Sequence, residues 1–123
     1  MPTVFICDDE VEILRYLEKL LRRNGYTVET FRHGHDLLKR VAVSGILDCD
    51  ALLMDVRMPN MDGLQILKQL SREYPKVPVL LMTGHGTMND AVQAIKLGAF
   101  DYLTKPFPLH KILEVIGRAV SQH

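Results

Sequence analysis

Three aspartates each stand at the end of a short apolar run. Asp8 and Asp9 follow Val4-Phe5-Ile6-Cys7, and Asp55 follows Ala51-Leu52-Leu53-Met54. Two further polar residues occupy the same kind of place. Thr83 closes the run 77–82, and Lys105 follows Tyr102-Leu103-Thr104. Three carboxylates gathered together repel one another and invite a hard cation. Mg²⁺ suits such a set, because it takes oxygen ligands and binds through one or two carboxylates plus substrate phosphate. A carboxylate beside Mg²⁺ and an ammonium can serve as the nucleophile in phosphoryl transfer, giving an aspartyl phosphate. Lys105 and the metal would neutralise charge developing on the transferred oxygens, and the Thr83 hydroxyl would donate to one of them.

The elements that must bring these residues together alternate along the chain. Residues 4–7 read as a buried strand, and 11–24 as a helix with Ile13, Leu14, Leu17, Leu20 and Leu21 on one face, ended by Gly25. Residues 27–31 are β-branched and aromatic, a second strand. A helix over 36–43 carries Leu37, Leu38, Val41 and Ala42. The run 51–54 has no β-branched residue, so its shortness and flanks, not propensity, make it a strand. A third helix follows Asp62, with Gly63, Ile66, Leu67, Leu70 and Tyr74 on its stripe. Residues 77–82 form a strand with Pro78 near its start, where a ladder donor can be spared. A helix over 90–97 ends at Gly98, a strand covers 102–104, and the last helix covers 109–120 with Leu109, Ile112, Leu113, Ile116 and Val120 inward.

Strands alternating with helices imply one parallel sheet with helices on both faces, an α/β (βα)5 doubly wound fold of five strands and five helices. Continuous apolar strands agree, since parallel strands are buried on both sides. Ligands of such sheets bind at the carboxyl ends of the strands, which is where Asp8, Asp9, Asp55, Thr83 and Lys105 fall.

Length and composition fit one domain, residues 1–123: the chain is 47% hydrophobic and 24% charged, with zero formal net charge. Zero net charge argues against direct nucleic-acid contact through phosphates and against attraction to a membrane surface. No run is long and apolar enough to span a membrane, no signal peptide is expected before the first strand, and the cytoplasm is the expected compartment. Cys7 and Cys49 read as small buried apolar residues, not a disulfide framework.

Four stretches carry a family resemblance: Phe5-Ile6-Cys7-Asp8-Asp9-Glu10, the segment from Leu53-Met54-Asp55 to Met61-Asp62-Gly63, Met82-Thr83-Gly84-His85-Gly86, and the segment from Gly98-Ala99-Phe100 to Lys105-Pro106-Phe107. In this order and at these strand ends the chain resembles a response-regulator receiver domain of bacterial two-component systems. The wording of the motifs is most similar to receivers of transcriptional regulators of the nitrogen-regulation and nitrogen-fixation type. The resemblance implies a flavodoxin-like strand order 2-1-3-4-5. It implies that Asp55 is the phosphoacceptor, that Asp9 and Asp55 ligate Mg²⁺ directly, that Asp8 does so through water, and that the backbone carbonyl of Arg57 is a further ligand. It implies that Thr83 and Lys105 sense the phosphoryl group and that Tyr102 changes rotamer on activation. Arg57 and His85 flank the opening beside Gly84 and are expected to tune dephosphorylation. The implied partners are a sensor histidine kinase or phosphotransfer protein, with a phosphorylation-dependent homodimer or a C-terminal output domain downstream. The implied activity is self-phosphorylation and slow self-dephosphorylation, not turnover of a metabolite.

Each residue also has a plainer reading. Asp8 or Asp9 can cap the first helix, a role compatible with metal binding. Asp55 or Lys105 alone would be an ordinary solvated charge, Thr83 a turn hydroxyl, and Tyr102 a half-buried strand aromatic. His33 and His35 are spaced like a metal pair but supply too few ligands. Three other functions compete. An aspartate-nucleophile phosphatase needs an acid two residues after the nucleophile, where this chain has Arg57, which cannot exchange a proton near neutral pH. A flavin module of this topology needs a phosphate loop after the first strand, where this chain has Asp8-Asp9-Glu10. A degenerate receiver used only for docking would have no need of the complete set of polar residues. On the fourth helix, Met88, Ala91, Val92 and Ile95 form an apolar stripe expected to face the core, and Val115 is the extra apolar residue expected on the outer face of the last helix.

Overall fold

The structure is a computed structural model and describes residues 2–58, 61–84 and 88–121. Five strands and five helices alternate: β1 (Thr3–Cys7), α1 (Val11–Arg23), β2 (Thr27–Phe31), α2 (Gly34–Ser44), β3 (Ala51–Asp55), α3 (Gly63–Glu73), β4 (Val79–Thr83), α4 (Met88–Lys96), β5 (Asp101–Thr104) and α5 (Leu109–Val120). The strands pair in parallel in the order β2-β1-β3-β4-β5. The expected strand order therefore holds. A small antiparallel ribbon, Arg57–Met58 against Met61–Asp62, lies between β3 and α3.

Both faces of the sheet are covered, and the two-residue period of the strands divides the core. Phe5, Cys7, Leu52, Met54, Val79 and Leu81 point to one side, where Leu37 and Val41 of α2, Ile66, Leu67 and Leu70 of α3 and Ala94 of α4 meet them. Val4, Ile6, Ala51, Leu53, Leu80 and Met82 point to the other, against Leu14, Leu17 and Leu21 of α1 and Ile112, Val115 and Ile116 of α5. Burial on both sides explains why β1, β3 and β4 are unbroken apolar runs. It also explains how Ala51-Leu52-Leu53-Met54 becomes a strand without β-branched residues: packing overrides local propensity.

Element bounds agree with the sequence to within about two residues. Three orientations differ. Among the described side chains of α4 the buried one is Ala94, while Val92 and Ile95 are 45% and 51% exposed; the Met88 side chain lies outside the described ones. The small Ala94 side chain lets that face of the helix lie close to the sheet, and Val92 and Ile95 are turned outward. In α5 the inward stripe is Ile112, Val115, Ile116 and Ala119 at i, i+3, i+4 and i+7 spacing; Val115 is fully buried and Leu109 exposed. In α2, Ala42 faces solvent.

Candidate functional site

Parallel pairing places the carboxyl ends of β1, β3, β4 and β5 side by side. The register sets Cys7 beside Met54, Asp55 beside Met82 and Thr83 beside Thr104. Asp55 and Thr83 are the last residues of β3 and β4, and Asp8 and Lys105 lie one residue beyond β1 and β5. The backbone pins them there: the Asp8 amide donates to the Phe31 carbonyl, the Val56 amide to Met82 and the Lys105 amide to Thr83.

Carboxylate oxygens of Asp8, Asp9 and Asp55 lie within 4.8 Å of one another. Asp8 is fully buried and Asp55 and Thr83 nearly so. Three acids so close, with Asp8 and Asp55 buried and Asp9 half-buried, form a donor set of hard oxygens with excess negative charge, which fits a hard dication such as Mg²⁺. Among the described residues these are the acids, histidines and cysteines that gather in this way; His33 and His35 do not.

Lys105 stands beside the cluster. Its Nζ donates to Asp8 Oδ2 at 2.8 Å and to Glu10 Oε1 at 3.4 Å, and it lies 3.7 Å from Asp55 Oδ1. The other Asp8 oxygen accepts the Glu10 amide at 2.9 Å. Asp8 thus shapes the turn into α1, but the N-cap residue itself is Glu10, whose side chain makes no cap bond. The expected cap by Asp8 or Asp9 is replaced by this turn.

The electrostatics follow from burial and crowding. Burial raises the Asp8 carboxyl above its ordinary value, against the pull of Lys105 and the Glu10 amide. Burial and the neighbouring Asp8 charge raise Asp55 to about 6, with Lys105 and the Arg57 amide acting the other way. Burial would lower Lys105, but its hydrogen bond to Asp8 and the surrounding carboxylates outweigh that and raise it. The ammonium is therefore firmly charged, while Asp8 and Asp55 resist carrying their full charge.

The Arg57 backbone lies against Asp55, because its amide donates to that carboxylate. Tyr102 turns inward and its hydroxyl shares a hydrogen bond with the Thr83 side chain, in the field of Asp90 and Arg57. Burial raises the Tyr102 hydroxyl, and it stays neutral near pH 7. Arg57, Thr83, Asp90 and Tyr102 line a cavity of about 470 Å³ with Val56, Met58 and Leu64. His85 lies outside the described residues.

Two contributors did not stand out in sequence. Glu10 was legible only as the tail of Asp8-Asp9-Glu10, and its hold on Lys105 crosses 95 residues of chain. Gly63 ends the second motif segment, but its reason is spatial. A Cβ there would come within 2.7 Å of the Asp55 carbonyl oxygen and 2.8 Å of Val56 Cα and its carbonyl oxygen. Only glycine lets α3 start this close to the end of β3. Asp62 starts that helix, its carboxylate accepting the Leu64 amide at 2.9 Å.

The family model for the response regulator receiver domain matches residues 4–117. The DNA-binding transcriptional regulator NtrC of Escherichia coli is 41% identical over 120 residues, covering 98% of this chain and 25% of that protein. The transcriptional regulatory protein ZraR of Salmonella typhimurium is 37% identical over 118 residues, covering 96% of this chain and 26% of its own length. This chain thus spans about a quarter of the length of these curated relatives. The solution structure of the beryllofluoride-activated NtrC4 receiver domain dimer superposes with a TM-score of 0.91 at 32% identity, over 99% of this chain and 98% of that one.

Proposed function

The chain belongs to the response regulator receiver family, and we propose that it is a phosphorylation-dependent switch whose phosphoacceptor is Asp55. The observation that carries the reading is the set of Asp8, Asp9 and Asp55 carboxylates within 4.8 Å, with Lys105 bonded to one and 3.7 Å from another. A sensor histidine kinase or phosphotransfer protein is the donor. A carboxylate oxygen of Asp55 attacks the phosphorus of its phosphohistidine; an O–P bond forms as the P–N bond breaks, and the imidazole leaves with the electron pair and takes up a proton. The O–P bond is later hydrolysed by water, returning the carboxylate and phosphate.

Asp8, Asp9, Asp55 and the backbone carbonyl of Arg57 are the proposed Mg²⁺ ligands, and the bound ion would supply positive charge opposite the transferred oxygens. Lys105 supplies a second positive charge, and its raised pKa keeps that charge at neutral pH. The Thr83 hydroxyl donates to a phosphoryl oxygen and can still accept from the Tyr102 hydroxyl. Tyr102 is thereby tied to the position of Thr83, so one charge event biases a two-state element at the α4–β5 face. Arg57 and His85 are the proposed controls on the attacking water. The cycle resets one group on the protein itself, so it is a switch and not a turnover enzyme.

The output is association. The outward Val92 and Ile95 of α4 give that face an apolar surface. A homodimer in the phosphorylated state is the proposed product, supported by the dimeric NtrC4 receiver. An output domain beyond residues 1–123, acting in transcription, is the other proposed recipient, supported by the greater length of NtrC and ZraR. No helix among the described residues is long and apolar enough to cross a membrane. The cytoplasm is the proposed compartment, and neither membrane nor nucleic acid is a proposed partner of this domain.

Beryllofluoride mimics an aspartyl phosphate and provides the test. With Mg²⁺ it should shift amide resonances around Asp55, Thr83 and Lys105 and through α4 and β5 in the parent protein, and none of these in Asp55→Asn. Equal shifts in both proteins would refute the assignment of Asp55.

A further inference from the structure

Lys105 rests on the wrong carboxylates for its proposed task. Its Nζ bonds Asp8 at 2.8 Å and Glu10 at 3.4 Å, but is 3.7 Å from Asp55, beyond hydrogen-bond range. The Asp8 contact is buried and tight, and Asp8 is anchored on its other oxygen by the Glu10 amide. Glu10 is different. Its carboxylate is 60% exposed, its contact with the ammonium is the longer of the two bonds, and it caps nothing on α1. It stands on the solvent side of Lys105, whereas Asp55, 7% exposed in its side chain, lies on the inner side. An ammonium has three donors, and Glu10 accepts one of them through an exposed carboxylate.

We propose that Glu10 is a positioning residue that holds the Lys105 ammonium away from Asp55 in the resting state and competes for it with the phosphoryl group. This rests on the receiver reading given above. The competition is mild by design of the site: an exposed ion pair is worth no more than about a fivefold change in an equilibrium. Glu10 therefore sets the resting balance without blocking the reaction. It also joins the site to the surface. Glu10 and Lys105 line a groove of about 440 Å³ with Ile13, Tyr16 and Phe107. Any change at Glu10 in that groove changes what Lys105 can reach.

The test uses three variants. Glu10→Ala leaves the start of α1 intact, since the side chain makes no cap bond. Glu10→Gln keeps an acceptor oxygen. Glu12→Ala removes an exposed acid from the first turn of the same helix without touching Lys105, and so measures the general effect of lost negative charge. Beryllofluoride affinity in Mg²⁺ is measured by titration calorimetry, and the Lys105 Nζ resonance by NMR in metal-free protein. Glu10→Ala should tighten beryllofluoride binding about two- to fivefold and move the Nζ resonance, Glu10→Gln should fall between it and the parent, and Glu12→Ala should change neither. Equal effects of Glu10→Ala and Glu12→Ala, or an unmoved Nζ resonance in Glu10→Ala, would overturn the proposal. Failure of the parent protein to bind beryllofluoride would instead overturn the receiver reading on which it rests.

Discussion

Replacing Gly63 by alanine tests how the end of β3 is held. The new Cβ would lie 2.7 Å from the Asp55 carbonyl oxygen and 2.8 Å from both Val56 Cα and the Val56 carbonyl oxygen. Ordinary carbon contacts need about 3.5 Å or more, so roughly 0.7 Å of movement is required against three atoms at once. All three are backbone, and none is free to swing aside. The Val56 amide is bonded to the Met82 carbonyl at 2.9 Å, and the Val56 carbonyl accepts the Gly63 amide at 2.9 Å. Overpacking of this kind costs about 1–3 kcal/mol, and an immovable backbone puts Gly63→Ala at the upper end, about 3 kcal/mol. For a domain of this size that lowers the melting temperature by on the order of 10 °C. Gly117→Ala on α5 is the control: nothing lies within 4 Å of its new Cβ, so it should stabilise by about 0.5–1 kcal/mol through helix propensity. Calorimetric melting of both variants reads the difference. Gly63→Ala should also weaken beryllofluoride binding, because the strain is relieved by tilting Asp55. A Gly63→Ala protein that melts with the parent and binds beryllofluoride equally would refute the close-approach argument.

Asp55→Asn should stabilise metal-free protein at pH 7.5 by up to about 3 kcal/mol. The folded carboxyl is raised from 3.8 to about 6, so its ionisation opposes folding; the penalty is absent below pH 4, grows between pH 4 and 6 and is complete above that. Urea titrations at pH 4 and 7.5 should show the gain only at the higher pH. Lys105→Met should destabilise metal-free protein by about 3 kcal/mol, because it leaves a fully buried Asp8 oxygen without its cation, and Mg²⁺ should restore part of the loss in the same titration. Tyr102→Phe should cost about 1 kcal/mol by removing the bond to Thr83, measured by urea unfolding. Ile95→Glu should leave the melting temperature unchanged, since the side chain is 51% exposed, while abolishing any beryllofluoride-induced dimer in sedimentation.

The parallel sheet was legible because each strand is a short apolar run bounded by turn residues, and the site was legible because its polar residues sit at the ends of those runs. Strand order was not in the periodicity; it came only with the family resemblance, since every parallel order of such strands reads alike along the chain. Helix faces were less secure. The α4 stripe of Ala91, Val92 and Ile95 has ideal helical spacing, yet Ala94 faces the sheet, because a small residue permits the closest approach. Val115 looked like surplus and is core, because α5 is rotated to bury Ala119 below it. Glu10 and Gly63 fall within the motif segments, but what they do depends on a contact distant in sequence and on a close backbone approach, which no local pattern shows.

The central claim is that a phosphoryl group is carried on the Asp55 carboxylate. Incubation with acetyl phosphate and Mg²⁺, followed by borohydride reduction, converts an aspartyl phosphate to homoserine and marks its position in a peptide map. The account predicts homoserine at residue 55 alone, formed only with Mg²⁺, and none in Asp55→Asn. Homoserine at Asp8, Asp9 or elsewhere in the parent protein, or no homoserine at residue 55, would contradict it.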